Sequence, residues 1–307
     1  MRNAFASEIT KLAEADPRIH LLSGDIGNRL FNDFQAKCPG RFFNCGVAEA
    51  NMISVGAGMA LCGLKPVAYT ITTFITARCF EQIKLDVCYN EAPLVIVGVG
   101  SGLAYASLGP THHAFEDMAI LRTLPGLTIL APADPPEVRT ALRAALAHGG
   151  PVYMRIGKKG EPTLMPDPPP FQIGKGRILR KGADACLLST GVVLSETLHA
   201  AEALAARGIQ ATVVHMPTVK PLDAELLGDM FRTHRVIGVV EEHSRIGGFS
   251  SAVLEWAADA EAFGPRLLRF GLPDAFIHES GEQEYARGFC GIRGEQIAEN
   301  VARALEP

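Results

Sequence analysis

One carboxylate stands alone in the stretch NCGVAEANMISVGAGMA, residues 44–60. It is Glu49, and no other charged residue lies between Arg41 and Lys65. An isolated ionised carboxylate is too costly for a dry interior unless something pairs with it. Glu49 is therefore either an exposed residue at a helix start or a group with something to face. The residues around it are small or apolar: Ala48, Ala50, Ser54, Gly56, Ala57, Gly58 and Ala60. Glycines weaken a helix relative to alanine, and they are tolerated where another backbone must approach. A helix that is apolar all round is a buried one. The pattern predicts a helix over 48–62 with Glu49 in its first turn, where the positive helix end favours a carboxylate. It also predicts a covering partner, such as a second chain.

A second cluster is GPTHHAFEDMAILR, residues 109–122. Gly109 and Pro110 make a turn, and Thr111 stands where a helix over 114–123 would be capped. His112 and His113 follow the strand candidate 93–99 after a long loop, where open α/β sheets place ligand contacts. Adjacent histidines rarely point at one metal, so one structural and one functional histidine are expected. The third cluster is Arg155, Lys158 and Lys159 in YMRIGKKGEP. It fits either a phosphate or carboxylate contact or a solvated domain edge. GVGSG at 98–102 does not complete a GxGxxG, so it reads as a turn-rich loop and not as a dinucleotide site.

The elements that must hold these groups alternate along the chain. Strand candidates at 19–23, 66–70, 93–99, 127–132 and 152–156 are short apolar runs bounded by Gly and Pro. Helical patterns lie between them, at about 3–15, 48–62, 75–90, 114–123 and 135–148. Five prolines in the nine residues 162–170 break the pattern, since proline fits neither helix interior nor central strand. The alternation then resumes, with strands at 185–190, 211–216, 235–242 and 267–272 and helices near 193–207, 223–232, 248–261 and 293–305. The expectation is two tandem α/β domains, each with a mostly parallel sheet covered by helices. They span 1–160 and 179–307 and are joined by a proline-rich linker over 161–178.

Composition narrows the class. The 307 residues are 48% hydrophobic and carry a net charge of −4, which points to neither nucleic acid nor an anionic membrane surface. The longest apolar runs, such as PLVIVGV, fall far short of the roughly 20 residues that span a bilayer. The N-terminal residues read as an amphipathic helix and not as a signal peptide. Seven cysteines without a CxxC fit reduced thiols in a cytoplasm.

In this order the motifs resemble the pyrimidine-binding and C-terminal domains of the transketolase superfamily. GVAEANMISVGAGMALCGLKPVAYTITTF resembles the pyrimidine-domain signature. GPTHHAFEDMAILRTLPGLTILAPADPPE resembles the Thr-His loop and the strand that follows, and VVEEHSRIGGFSSAV resembles the opening of the last domain's interface segment. The resemblance implies a thiamine-diphosphate-dependent transketolase that moves a two-carbon ketol unit from a ketose to an aldose. By that resemblance Glu49 meets the aminopyrimidine ring nitrogen and Phe74 stacks on the ring. His112 contacts the donor oxygen, Arg155 binds a substrate phosphate, and Asp25 lies near the cofactor.

Departures from the family pattern are informative. Members that work as one chain carry a GDG metal signature in a preceding diphosphate-binding domain, and this chain has no GDG. The resemblance then implies a split enzyme. A separate N-terminal subunit would supply the Mg²⁺ and diphosphate ligands, and two copies of this chain would sit in an α2β2 assembly. An Asp usually lies four residues before the loop His, and a His twelve before; here these positions hold Leu108 and Gly100. Those positions read sugar hydroxyls and phosphate, so a modified or unusual sugar is expected. The alternatives are the beta subunit of a 2-oxo acid dehydrogenase decarboxylase, a deoxyxylulose-phosphate-synthase-like enzyme, and a non-catalytic paralogue kept for assembly. Retention of Glu49, Phe74 and His112 together argues against the last.

Overall fold

Short runs of Val, Ile and Leu become strands here because each is buried along its length, as parallel strands covered on both faces are. The structure, a computed structural model, describes residues 1–27, 29–279 and 281–306. It divides into two units, Met1–Ser101 with Ile120–Ile173, and Gly102–Ala119 with the chain from Gly174 on.

The first unit runs α1 (Arg2–Ala15), β1 (Ile19–Ser23), α2 (Asn32–Lys37), β2 (Phe42–Asn44), α3 (Glu49–Leu61), β3 (Lys65–Ile71), α4 (Thr72–Thr76), α5 (Phe80–Gln82) and β4 (Val95–Val99). After the excursion 102–119 and helix α6 (Asp117–Arg122) it continues with β5 (Thr128–Leu130), α7 (Pro135–His148) and β6 (Val152–Ile156). Its strands neighbour one another in the order β5-β6-β4-β3-β1-β2, and every pair is parallel. The amino ends of β1 and β3 carry an ion cluster, with Asp16 accepting from Arg18 at 2.8 Å and lying 3.3 Å from Lys65. The Arg18 hydrogen bond holds the Asp16 carboxyl well below the usual carboxylate range.

The second unit contains β7 (Arg177–Arg180), β8 (Ala185–Ser189), α8 (Leu194–Ala205), β9 (Ala211–His215), β10 (Thr218–Lys220), α9 (Ala224–Thr233), β11 (Val236–Ser244), α10 (Phe249–Asp259), β12 (Arg266–Leu272), α11 (Gln283–Phe289) and α12 (Gly294–Leu305). Its sheet has the order β12-β11-β8-β9-β7, parallel except for β7. The fold class is thus two α/β units with mostly parallel sheets.

Local chemistry explains where the elements depart from the sequence pattern. The helix expected over 75–90 is broken into α4, α5 and a π-helical stretch, Ile83–Tyr89. Thr76 donates its hydroxyl back to the Thr72 carbonyl at 2.7 Å, a bond that bends helices. The helix expected from 114 starts at Asp117, because the Phe115 backbone is committed elsewhere: its N–H to Glu116 Oε2 and its carbonyl to the Ser244 N–H, both at 2.9 Å. In α7, Asp134 caps the Glu137 amide and prolines fill the first two positions. The other oxygen of Asp134 accepts from the amides of Leu164 and Met165, at 2.8 and 2.6 Å. Part of the proline-rich connector is therefore fastened to the first unit. Among the described residues no helix is long and apolar enough to cross a membrane.

Candidate active site

A parallel sheet gathers the carboxyl ends of its strands at one rim. In the first unit Asp25 follows β1, Glu49 follows β2, Phe74 follows β3, Gly100 follows β4 and Arg155 lies near the end of β6. Glu49 is the first residue of α3 and only 6% exposed. Its Oε2 accepts from Arg78 Nη1 at 3.2 Å. The guanidinium carbon of Arg78 also lies 4.2 Å from the centroid of the Phe74 ring. The lone charge of the sequence thus has a protein cation as its neighbour, which the sequence reading did not foresee. A flat, N–H-bearing group is held against an aromatic face while it donates to a buried carboxylate. Beside it, burial and the charge of Glu49 push the Cys79 thiol up to about 12, so it stays protonated and unreactive.

Asp25 is exposed and accepts from Asn44 Nδ2 at 3.0 Å, while its N–H donates to the Gly46 carbonyl at 3.1 Å. Both contacts brace the turn that leads into α3. Gly100 has φ of +82° and donates its N–H to the Ile156 carbonyl at 2.9 Å, which sets it beside the end of β6. Arg155 is 2% exposed and paired in register with Gly98. A solvated edge therefore describes Lys159, which is exposed, but not Arg155.

His112 and Leu108 belong to the second unit, and the other five candidates to the first. Their loop is closed at its base by the Ala114 N–H, which donates to the Gly102 carbonyl at 2.9 Å. Thr111 caps no helix; its hydroxyl lies 2.9 Å from His112 Nδ1. His112 is half-buried, its ring 5.9 Å from that of Tyr105, and Leu108 is exposed. His113 is buried, stacks on Phe115 at 5.2 Å, and donates from Nε2 to the Ala106 carbonyl. Burial and the neighbouring Asp117 push the Glu116 carboxyl up. No group of three or more His, Cys, Asp or Glu side chains among the described residues is arranged to hold a metal ion.

Sequence reasoning missed Arg78. The available signal was its spacing of four from Phe74, which on a helix puts a cation over a ring.

Two family models match the chain: transketolase, pyrimidine binding domain, over residues 1–161, and transketolase, C-terminal domain, over 174–297. A 1-deoxy-D-xylulose-5-phosphate synthase of Microcystis aeruginosa is 37% identical over 98% of this chain and 48% of its own length. The chain thus spans about half the length of that relative and of similar synthases. The 6-deoxy-6-sulfo-D-fructose transketolase subunit SqwH of a Clostridium species is 36% identical, with 100% of this chain and 94% of the relative covered. A solved structure described as a split gene transketolase, inactive beta4 tetramer, superimposes with a TM-score of 0.89 at 33% identity, covering 99% of this chain and 97% of that one.

Proposed function

The chain belongs to the transketolase family, whose members depend on thiamine diphosphate, and on that premise we propose that it is the C-terminal subunit of a split transketolase. The observation that carries this reading is the stack of Phe74, the Arg78 guanidinium and the Glu49 carboxylate. It offers an aromatic face and a buried acceptor to one planar nitrogen-bearing group, and an aminopyrimidine has that chemistry. When bound, thiamine diphosphate supplies an electron sink for breaking a carbon–carbon bond next to a carbonyl. Glu49 holds a proton between its carboxyl and a ring nitrogen, and Phe74 orients the ring. Arg78 is half-exposed on a flexible stem and would have to swing out to admit the ring. His112 contacts the donor oxygen, Arg155 a substrate phosphate, and Asp25 lies near the cofactor.

The diphosphate and Mg²⁺ ligands belong, in this reading, to a separate N-terminal subunit within an α2β2 assembly. Two observations support a covering chain. Relatives of similar length are described as a subunit or as the product of a split gene. In addition, Val55 and Leu61 on the Glu49 helix and Leu85 and Tyr89 beside it are exposed. Free cysteines throughout the chain support a reducing cytoplasm.

Leu108 and Gly100 place an apolar group and a bare backbone where family members read sugar hydroxyls and phosphate, so the substrate is a non-standard sugar. A relative named for a sulfonated fructose supports that class. The experiment is ketol transfer by the purified pair. It should act on a modified ketose and poorly on xylulose 5-phosphate and ribose 5-phosphate. Glu49→Gln should lower kcat by about a hundredfold or more, several kcal/mol of barrier. Formation of 1-deoxy-D-xylulose 5-phosphate without ketol transfer would favour the synthase reading, which the 37% identity keeps in play.

A further inference from the structure

Strand β11 ends in Glu241-Glu242-His243-Ser244, and the first three of these polar residues are buried. Each of the last three grips the loop that carries His112. Glu242 Oε1 accepts from the Leu103 N–H at 2.8 Å, where the loop begins. The Ser244 N–H donates to the Phe115 carbonyl at 2.9 Å, and the Ala119 N–H donates to His243 Nε2 at 3.3 Å, where it ends. At Gly102, whose φ is +58°, a Cβ would run into the side chain and carbonyl of Glu242.

Glu242 is built for this work. Its Oε1 also accepts from Gln283 Nε2 at 2.8 Å, and its Oε2 is paired with Arg287 Nε. Burial opposes the charge of Arg287, but Glu242 and Glu196 outweigh it and its pKa is raised. A carboxylate locked by a buried cation is a stronger and better-aimed acceptor than a neutral amide. Glu241 serves a different purpose on the same strand. It caps α10, accepting from the amides of Phe249 and Ser250.

We infer that Glu242 is a positioning residue for His112: by fixing the Leu103 amide against an ion-paired carboxylate, the second unit sets the entry of the histidine loop. This rests on the reading of His112 as a substrate contact, but the grip on the loop does not.

Amide hydrogen exchange on the chain separates the two. Glu242→Ala should speed exchange at Leu103 by about tenfold to a hundredfold, the effect of losing a hydrogen bond to a charged acceptor. Phe249 and Ser250, held by Glu241, should stay unchanged. Glu242→Gln keeps an acceptor and should show a smaller rise, and it remains informative if the alanine variant does not fold. Arg287→Gln removes the cation that aims Glu242, so it should raise exchange at Leu103 as well, by less than Glu242→Ala does. In the assembled enzyme, kcat should fall in the order wild type, Gln, Ala, with the concentration of thiamine diphosphate needed for activation unchanged. Exchange that rises equally at Leu103, Phe249 and Ser250 in the Glu242 variants, or does not rise at Leu103, overturns the proposal. So does selective exposure of Leu103 with kcat intact. Wild-type protein inactive in ketol transfer, but with the exchange pattern as expected, overturns the functional reading and leaves the grip standing.

Discussion

Arg78 occupies the carboxylate and the ring face that Glu49 and Phe74 are proposed to offer a cofactor. Its ion pair is half-exposed and worth at most about 1 kcal/mol, and its place over Phe74 about as much again. Arg78→Ala should therefore tighten the apparent affinity of the assembled enzyme for thiamine diphosphate, by up to about thirtyfold. The check is activation measured against cofactor concentration; weaker binding would instead make Arg78 a ligand. Glu49 was legible in the sequence because a single charge in an apolar run demands an explanation. Arg78 was not, because the sequence shows a cation near a ring without showing which acceptor it reaches. Arg155 reads as part of a basic cluster, yet its strand buries it.

At the level of elements, the first unit's parallel sheet does most of the positioning, since each candidate there follows a strand or lies near a strand's end at the same rim. Apolar runs bounded by Gly and Pro made those strands readable. The three-residue β2 and the broken helix after β3 were not readable, because pairing in the sheet and a threonine back-bond decide them and periodicity does not. The grip on the histidine loop was equally hidden, as Leu103 and Glu242 lie 139 residues apart. Buried carboxylates that serve as caps hold the second unit's elements in place. Glu241 receives two amides and the Ser250 hydroxyl. Glu241→Ala leaves those donors buried and unsatisfied, and should lower stability by about 2–4 kcal/mol, read as a reduced urea midpoint with unchanged slope.

For the whole molecule, the exposed apolar face decides what the chain does alone. Val55 and Leu61 on the helix that bears Glu49, and Leu85 and Tyr89 beside it, are exposed, Tyr89 to 83%. Leu85→Asp should leave the chain folded, because the side chain is already half in water, while abolishing the proposed assembly with an N-terminal subunit and the activity that would depend on it. Sedimentation of the mixture checks this, and an intact complex would move the interface elsewhere. The two-domain organisation was legible from the five prolines that interrupt the alternation. That residues 102–119 group with the second unit was not, since only contacts with β11 and its neighbours draw them there. The amino ends of β1 and β3 stand apart from all of this. Asp16, Arg18 and Lys65 form a polar rim with the Arg18 side chain largely in water, at the opposite ends of the strands from Glu49 and Phe74. For anyone who wants to tether this protein to a sensor surface or attach a fluorophore, that rim is the handle: a label there sits at the far ends of the strands from the working edge of the first sheet.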